Sequence, residues 1–268
     1  MTYDHKIIVF TDSHITEANE TIIGLDPMLR FQQGLAHALE RHPDAARIIL
    51  TGDLAHHGTP KQYARLKEAL SDCPVPVSLL LGNHDRRVGF TSIFPEAAQT
   101  SAGFIQSFVD IEGWRLIMLD TLDEQAPDHH SGWLCNDRLQ WMEDALSSAG
   151  PRKRIVFTHH PTFITGFTGM DAIGLRNLDE VAERLSRHPN IRMIICGHVH
   201  RTILGATGGI PTAVLKSPCH QMPMLLDQPS WGDSVDEPGA YGILLLQEDN
   251  VVLHTEDFAL SDGSTQDF

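Results

Sequence analysis

Lysine and arginine are scarce, 20 among 268 residues against 35 aspartates and glutamates, so the formal net charge is −15 at neutral pH. A chain of that sign repels a phosphate backbone, which excludes a general binder of nucleic-acid polymers. It does not exclude a small anionic substrate, because a bound metal outweighs the global field locally. Cysteine is sparse too: Cys73, Cys135, Cys196 and Cys219 stand far apart, with no CxxC pair. That spacing excludes a zinc ribbon and offers no disulfide framework, so reduced thiols in a cytoplasmic protein are expected. Long apolar runs are missing. None approaches the ~20 residues of a membrane span, and Ile7–Phe10 is too short for the apolar part of a signal peptide. Tyrosine occurs only three times, whereas histidine occurs 16 times. The histidine count proves nothing alone, but it directs attention to where those residues fall.

Apolar residues make up 41% of the chain, enough for a sizeable core, and the length suits one α/β domain covering 1–268. Short apolar runs at Lys6–Phe10, Arg47–Leu50, Val77–Leu81, Arg115–Leu119, Arg154–Phe157 and Ile191–Cys196 read as strands covered on both faces. Helical patterns lie between them, at Met28–Arg41, Lys61–Leu70 after Thr59-Pro60, Asp137–Ser147 with Asn136 as a cap, and Leu178–Leu185. This alternation predicts a layered α/β fold. The last third reads as strands at Thr212–Leu215, Gly242–Gln247 and Val251–Thr255 with little helix between them. The final two form a hairpin around Glu248-Asp249-Asn250, and a mixed or second sheet is expected there. Gln228–Ala240 reads as a loop, and the tail Ser261–Phe268 as frayed.

The informative feature is the polar residues at the strand ends. Five strands run into Thr11-Asp12-Ser13-His14, Thr51-Gly52-Asp53, Gly82-Asn83-His84-Asp85, Thr158-His159-His160-Pro161 and Gly197-His198-Val199-His200. Ligands bind at that edge of open α/β sheets. Asp, His and Asn are donors for Mn, Fe or Zn ions. Asp12, His14, Asp53, Asn83, His159, His198 and His200 are more donors than one tetrahedral ion needs, so two ions sharing one carboxylate are expected. Residues i and i+2 of an extended segment share a face, which brings each of the pairs Asp12/His14 and His198/His200 to one centre.

These motifs resemble those of the calcineurin-like metallophosphoesterases: D-x-H, G-D, G-N-H-[DE], a lone H, then G-H-x-H, every element present from Asp12 to His200. The resemblance implies a four-layer αββα sandwich of two mixed sheets around a dinuclear centre. It implies one ion on Asp12, His14, Asp53 and His200, and another on Asp53, Asn83, His159 and His198, with Asp53 bridging. His84 would then be a catalytic residue beside the substrate phosphate and Asp85 would orient it. His160 would take a supporting role. The expected reaction is in-line hydrolysis of a small phosphodiester. Two divalent ions neutralise the phosphoryl oxygens and generate a hydroxide, and His84 protonates the leaving oxygen.

Within the family, the chain looks like the bacterial branch of class III cyclic-nucleotide phosphodiesterases and glycerophosphodiesterases. Leu175-Arg176-Asn177 points to the former and His220-Gln221-x-Pro223 to the latter, which makes Arg176 and His220 substrate-binding candidates beside Asn83 and His84. The glycerophosphodiesterase branch includes oligomers, so a homo-oligomer is an open expectation. Trp133, Leu139 and Trp141 read as core. His56 and His57 fall in a ligand loop, where either can face the pocket, and His129-His130 reads as a solvated turn. A phosphomonoesterase or protein phosphatase stays open through Arg86 and Arg87, which could grip a dianion. A non-catalytic scaffold would be expected to lack ligands, and all are present.

Overall fold

The computed structural model describes residues 3–258. The elements run β1 (His5–Phe10), α1 (Pro27–Arg41), β2 (Arg47–Thr51), α2 (Pro60–Ala69), β3 (Val77–Leu80), α3 (Arg87–Ile93), β4 (Ser107–Ile111) and β5 (Trp114–Met118). They continue through α4 (Asn136–Ser147), β6 (Lys153–Phe157), α5 (Thr168–Ala172), α6 (Leu178–Ser186) and β7 (Ile191–Cys196), then β8 (Ile203–Thr207), β9 (Ile210–Val214), β10 (Ala240–Leu246) and β11 (Val251–Asp257). Two mixed sheets result, in the orders β11-β10-β1-β2-β3 and β4-β5-β6-β7-β9-β8. The six strands read from apolar runs all form, within a residue or two at each end. The tail from Ser261 lies outside the described residues.

Strand alternation explains the layers. Ile7, Val9, Ile49 and Leu80 of the first sheet meet Trp114, Leu116, Met118, Ile155, Phe157 and Ile195 of the second in a dry layer between the sheets. The intervening residues face outward. Ile8, Phe10, Ile48 and Leu50 pack under α1 and α2 with Phe31, Leu35, Tyr63 and Leu66. Ile117, Val156 and Ile194 pack under α4 and α6 with Leu139, Met142, Val181 and Leu185. Both faces of the central strands are therefore buried, which is why they read as unbroken apolar runs.

The last third does not make a sheet of its own. β8 and β9 extend the second sheet beyond β7, while β10 returns to the first and pairs antiparallel with β1, carrying β11 as its hairpin partner. β4 and β8 escaped the sequence reading because neither carries an apolar run: β4 (SFVDI) alternates between half-buried and exposed residues, and β8 (ILGAT) has Leu204 in solvent and two small residues. The short α3 and α5 carry too few turns for a helical period. Thr59 caps α2 in a reciprocal capping box with Gln62, as Thr-Pro suggested. The cap of α4 is Cys135 with no side-chain bond, so Asn136 belongs inside that helix. Trp133, expected in the core, is 37% exposed. No helix of the described residues is long and apolar enough to cross a membrane.

Phe157 fills the layer between the sheets and its neighbour Thr158 begins the loop after β6. Phe157→Ala is expected to cost about 3–5 kcal/mol by leaving a cavity, read as a lowered urea midpoint.

Candidate metal centre

Parallel strands β1, β2, β3, β6 and β7 end on one side of the sandwich, and backbone hydrogen bonds lace their loops together. Asp12 N donates to Gly52 O at 3.0 Å, His14 N to Asp53 O at 2.8 Å, and Gly197 N to His159 O at 2.9 Å. The loops lie so close that a Cβ on Gly52, itself at φ +98°, would stand 2.6 Å from His159 Nδ1.

Asp12, His14, Asp53, Asn83, His159, His198 and His200 converge there, all buried. Asp53 lies at the middle. Its Oδ1 accepts from His84 N at 2.8 Å, while its Oδ2 lies 3.4 Å from both His14 Nε2 and His159 Nε2. On the His14 side, His200 Nε2 is 3.1 Å from His14 Nε2 and 3.3 Å from Asp12 Oδ1. On the His159 side, Asn83 Oδ1 is 3.0 Å from His159 Nε2 and 2.9 Å from His198 Nδ1.

The means of convergence differs from the expected strand alternation. Asp12, His14, Asp53, His198 and His200 all sit in the left-handed region, at φ between 45° and 72°. Each such residue costs ~1–3 kcal/mol of backbone strain, a cost that persists where surrounding structure over-determines it and clusters at functional sites. The D-x-H and H-x-H pairs thus turn their side chains inward by paired left-handed residues.

The donor chemistry fits cations. His159 Nδ1 donates to Thr51 O at 3.0 Å and His200 Nδ1 to His220 O at 3.0 Å. Those tautomers aim the Nε2 lone pairs of the neutral rings at oxygen acceptors, Asn83 Oδ1 and the carboxylates of Asp53 and Asp12. His198 turns Nδ1 to Asn83 Oδ1 at 2.9 Å. Divalent ions would satisfy these inward-facing nitrogens and oxygens together. With protons alone the rings divide. Burial disfavours charge on His159, yet Asp53 and Asp12 outweigh it and hold the ring up at about 9. Burial pushes His14 and His198 well down, reinforced by neighbouring imidazoles.

His84 lines the cavity above the cluster, its Nδ1 donating to His56 O at 2.8 Å and its ring edge-on to His14 at 4.7 Å. Asp85 does not orient it. Its carboxylate turns into the core and accepts from Leu54 N, Ala55 N, Gly82 N and Tyr63 Oη at 2.8–3.1 Å. Burial and then Asp53 push Asp85 up to about 7, although every contact is a donor that suits the ionised form. Asp85 is a clamp between the β2 and β3 loops. His160 supports: Thr121 Oγ1 donates to its Nδ1 at 2.8 Å and its Nε2 donates to His130 O at 2.9 Å. Burial and then His159 hold it down at about 3, a neutral ring.

The remaining candidates separate. His220 lines the cavity, and so does His56, stacked on His84 at 5.3 Å. His57 turns out to Glu20. Arg176, expected at the substrate, lies outside, paired with Asp123 beneath a separate groove and over the Trp133 ring; its neighbours Met170 and Ile173 line the cavity instead. Arg87 is spent on Asp120 at 2.7 and 2.8 Å and on Glu124 at 3.0 Å, and Arg86 on the carbonyls of Asn83 and Asp85. Among the described residues no Lys or Arg lines the cavity. His129-His130 is not a wholly solvated turn. His129 takes φ +64° and Asp128 accepts from His130 N, turning the His130 ring inward to accept from Asn83 Nδ2 at 3.1 Å. Neither that inward ring nor Trp231 is marked in the sequence, since both come from loops without a motif.

The calcineurin-like phosphoesterase family model matches residues 5–202. A probable cyclic nucleotide phosphodiesterase of Rhodopseudomonas palustris is 37% identical over 93% of this chain and 91% of its own length. A glycerophosphodiester phosphodiesterase of Enterobacter lignolyticus is 26% identical over 80% of this chain and 77% of its own. A solved dimetal phosphatase from Danio rerio shares the fold at a TM-score of 0.73 and 13% identity, covering 96% of this chain and 97% of that one.

Asp85→Ala would strand three buried backbone N–H groups, each worth about 1–3 kcal/mol. A fall in stability of at least about 3 kcal/mol is expected by urea denaturation, with Tyr63→Phe, which removes one donor only, losing markedly less.

Proposed function

Because the chain belongs to the calcineurin-like phosphoesterase family, we propose that its cavity hydrolyses small phosphodiesters, cyclic nucleotides ahead of glycerophosphodiesters. The carrying observation is Asp53 Oδ2, equidistant at 3.4 Å from one ring of each donor set. Asp12, His14, Asp53 and His200 would hold one divalent ion, and Asp53, Asn83, His159 and His198 the other, with Asp53 shared. Imidazole, carboxylate and amide donors suit the Mn, Fe or Zn class. When bound, such ions supply phosphoryl charge neutralisation and an acidified water.

The chain's own residues do the rest. His130 accepts from the Asn83 amide N–H and so keeps Asn83 Oδ1 toward the donor set. The His56 carbonyl occupies His84 Nδ1. Nε2 is then the nitrogen left to face the leaving oxygen, and the imidazolium form of the ring, protonated on both nitrogens, gives up its Nε2 proton there, a role worth ~10²–10⁴-fold. The cavity without Lys or Arg suits a diester, whose single charge needs less compensation than a monoester dianion. This weighs against the phosphomonoesterase alternative. The glycerophosphodiester reading keeps one support, His220 in the cavity wall. Four free thiols, two of them fully buried, suit a reducing cytoplasm.

Asp53→Ala is expected to abolish diester hydrolysis and to leave fewer than two ions per chain by elemental analysis; two ions retained would contradict the bridge. His84→Ala is expected to keep its metals. It should lose activity on an alkyl or cyclic-nucleotide diester by up to about 10⁴-fold while an aryl diester, whose phenolate leaves without a proton, loses far less. Equal losses would assign His84 to phosphoryl binding.

A further inference from the structure

The cavity, of about 270 Å³, has a mixed lining. Part of it is the donor set, and the apolar part is Ile22, Ile23, Met170, Ile173, Met222 and Trp231. Trp231 is 47% exposed, and its ring packs on that of His130 with centroids 4.6 Å apart. An open indole at the mouth of a polar site leaves a large apolar face in water, which a flat ligand would cover.

The segment that carries Trp231 is tied down on both sides. Gln221 and Val235 exchange backbone hydrogen bonds at 3.0 and 2.8 Å, and Arg201 grips Glu237 with both terminal nitrogens at 2.6 and 2.8 Å. Thr168 N and Gly169 N of α5 donate to Leu226 O and Gln228 O, each at 3.2 Å. The indole is thus presented from a braced position. Asp233, exposed and two residues on, lines the same rim.

Resting on the diesterase reading above, we propose that Trp231 is the platform on which the nucleobase of a cyclic-nucleotide substrate stacks, with Asp233 placed to accept from an exocyclic amino group. A planar base needs one aromatic face and tolerates aliphatic side chains around it, and this lining offers one indole among aliphatic residues. A quaternary ammonium headgroup would instead call for a cage of several aromatic faces. Among the described residues Trp231 is the only aromatic besides histidine in the lining. His130 links the indole to the donor set, touching Trp231 with its ring and Asn83 with its Nδ1.

The test compares the metal-loaded wild type with Trp231→Ala and Trp231→Phe on 3′,5′-cyclic AMP, on the abasic 3′,5′-cyclic phosphate and on glycerophosphocholine. Stacking on an aromatic side chain is worth about tenfold or more in binding. The KM for cyclic AMP should therefore rise at least about tenfold more than the KM for the abasic diester in Trp231→Ala, and Trp231→Phe should recover most of it. Equal losses on the two cyclic diesters would overturn the platform. A selective loss on glycerophosphocholine would overturn it in favour of a cationic headgroup. Titration with AMP supplies a readout apart from turnover: tryptophan fluorescence should quench in the wild type, and the quench should vanish in Trp231→Phe. An undiminished quench overturns the platform. A quench through Trp231 in a protein that cleaves no diester supports the platform and overturns the hydrolase reading.

Discussion

Asp53 is a carboxylate enclosed between two sheets, with one oxygen held by the His84 amide and the other facing two imidazoles. Burying such a charge is tolerable only if positive charge or strong donors surround it. The rest of the ligand edge is built around that requirement. His14 arrives from β1 and His159 from β6, each with Nε2 3.4 Å from Asp53 Oδ2, and the Asn83 amide arrives from β3 with Oδ1 3.0 Å from His159 Nε2. The same requirement fixes the glycines. Gly52 lets the β2 loop turn with a left-handed backbone against the His159 ring, and a side chain there would displace the ring.

The strained backbone is the second half of that constraint. Five of the seven donors occupy left-handed conformations that ordinary residues avoid. The dry layer between the sheets sits directly behind them, with Val9, Ile49, Phe157 and Ile195 each within a few residues of a donor. Close-packed layers of this kind transmit rather than absorb strain. The cost of the turns is offset by burial in the sandwich, and the loops have little freedom to relax away from the site.

One part of the cavity lining comes from a different stretch of the chain than the donors. The whole donor set lies within the stretch matched by the family model, which ends at residue 202. His220, Met222, Trp231 and Asp233 lie beyond it, on the connection between β9 and β10. That connection spans the gap between the second sheet and the first, and so passes over the cavity mouth on its way. A rim built from it can vary without disturbing the strands that hold the donors, which is how loops commonly adapt one reaction to different substrates.

Strands with both faces buried, polar residues at their ends and donor types that suit cations can all be read along the chain. These were legible because each is local: an apolar run, a glycine, an Asp or His at fixed spacing. How those donors converge emerges in the folded chain, since left-handed turns leave no periodic signal. It alone decided that Asp85 clamps two loops rather than touching His84, and that Arg176 and Arg87 are taken up by acidic partners distant in sequence. It also decided that His130 and Trp231 enter the cavity. Their places depend on loops folding back across the sheet edge, and a side chain's partner there lies dozens of residues away, beyond the reach of any local pattern.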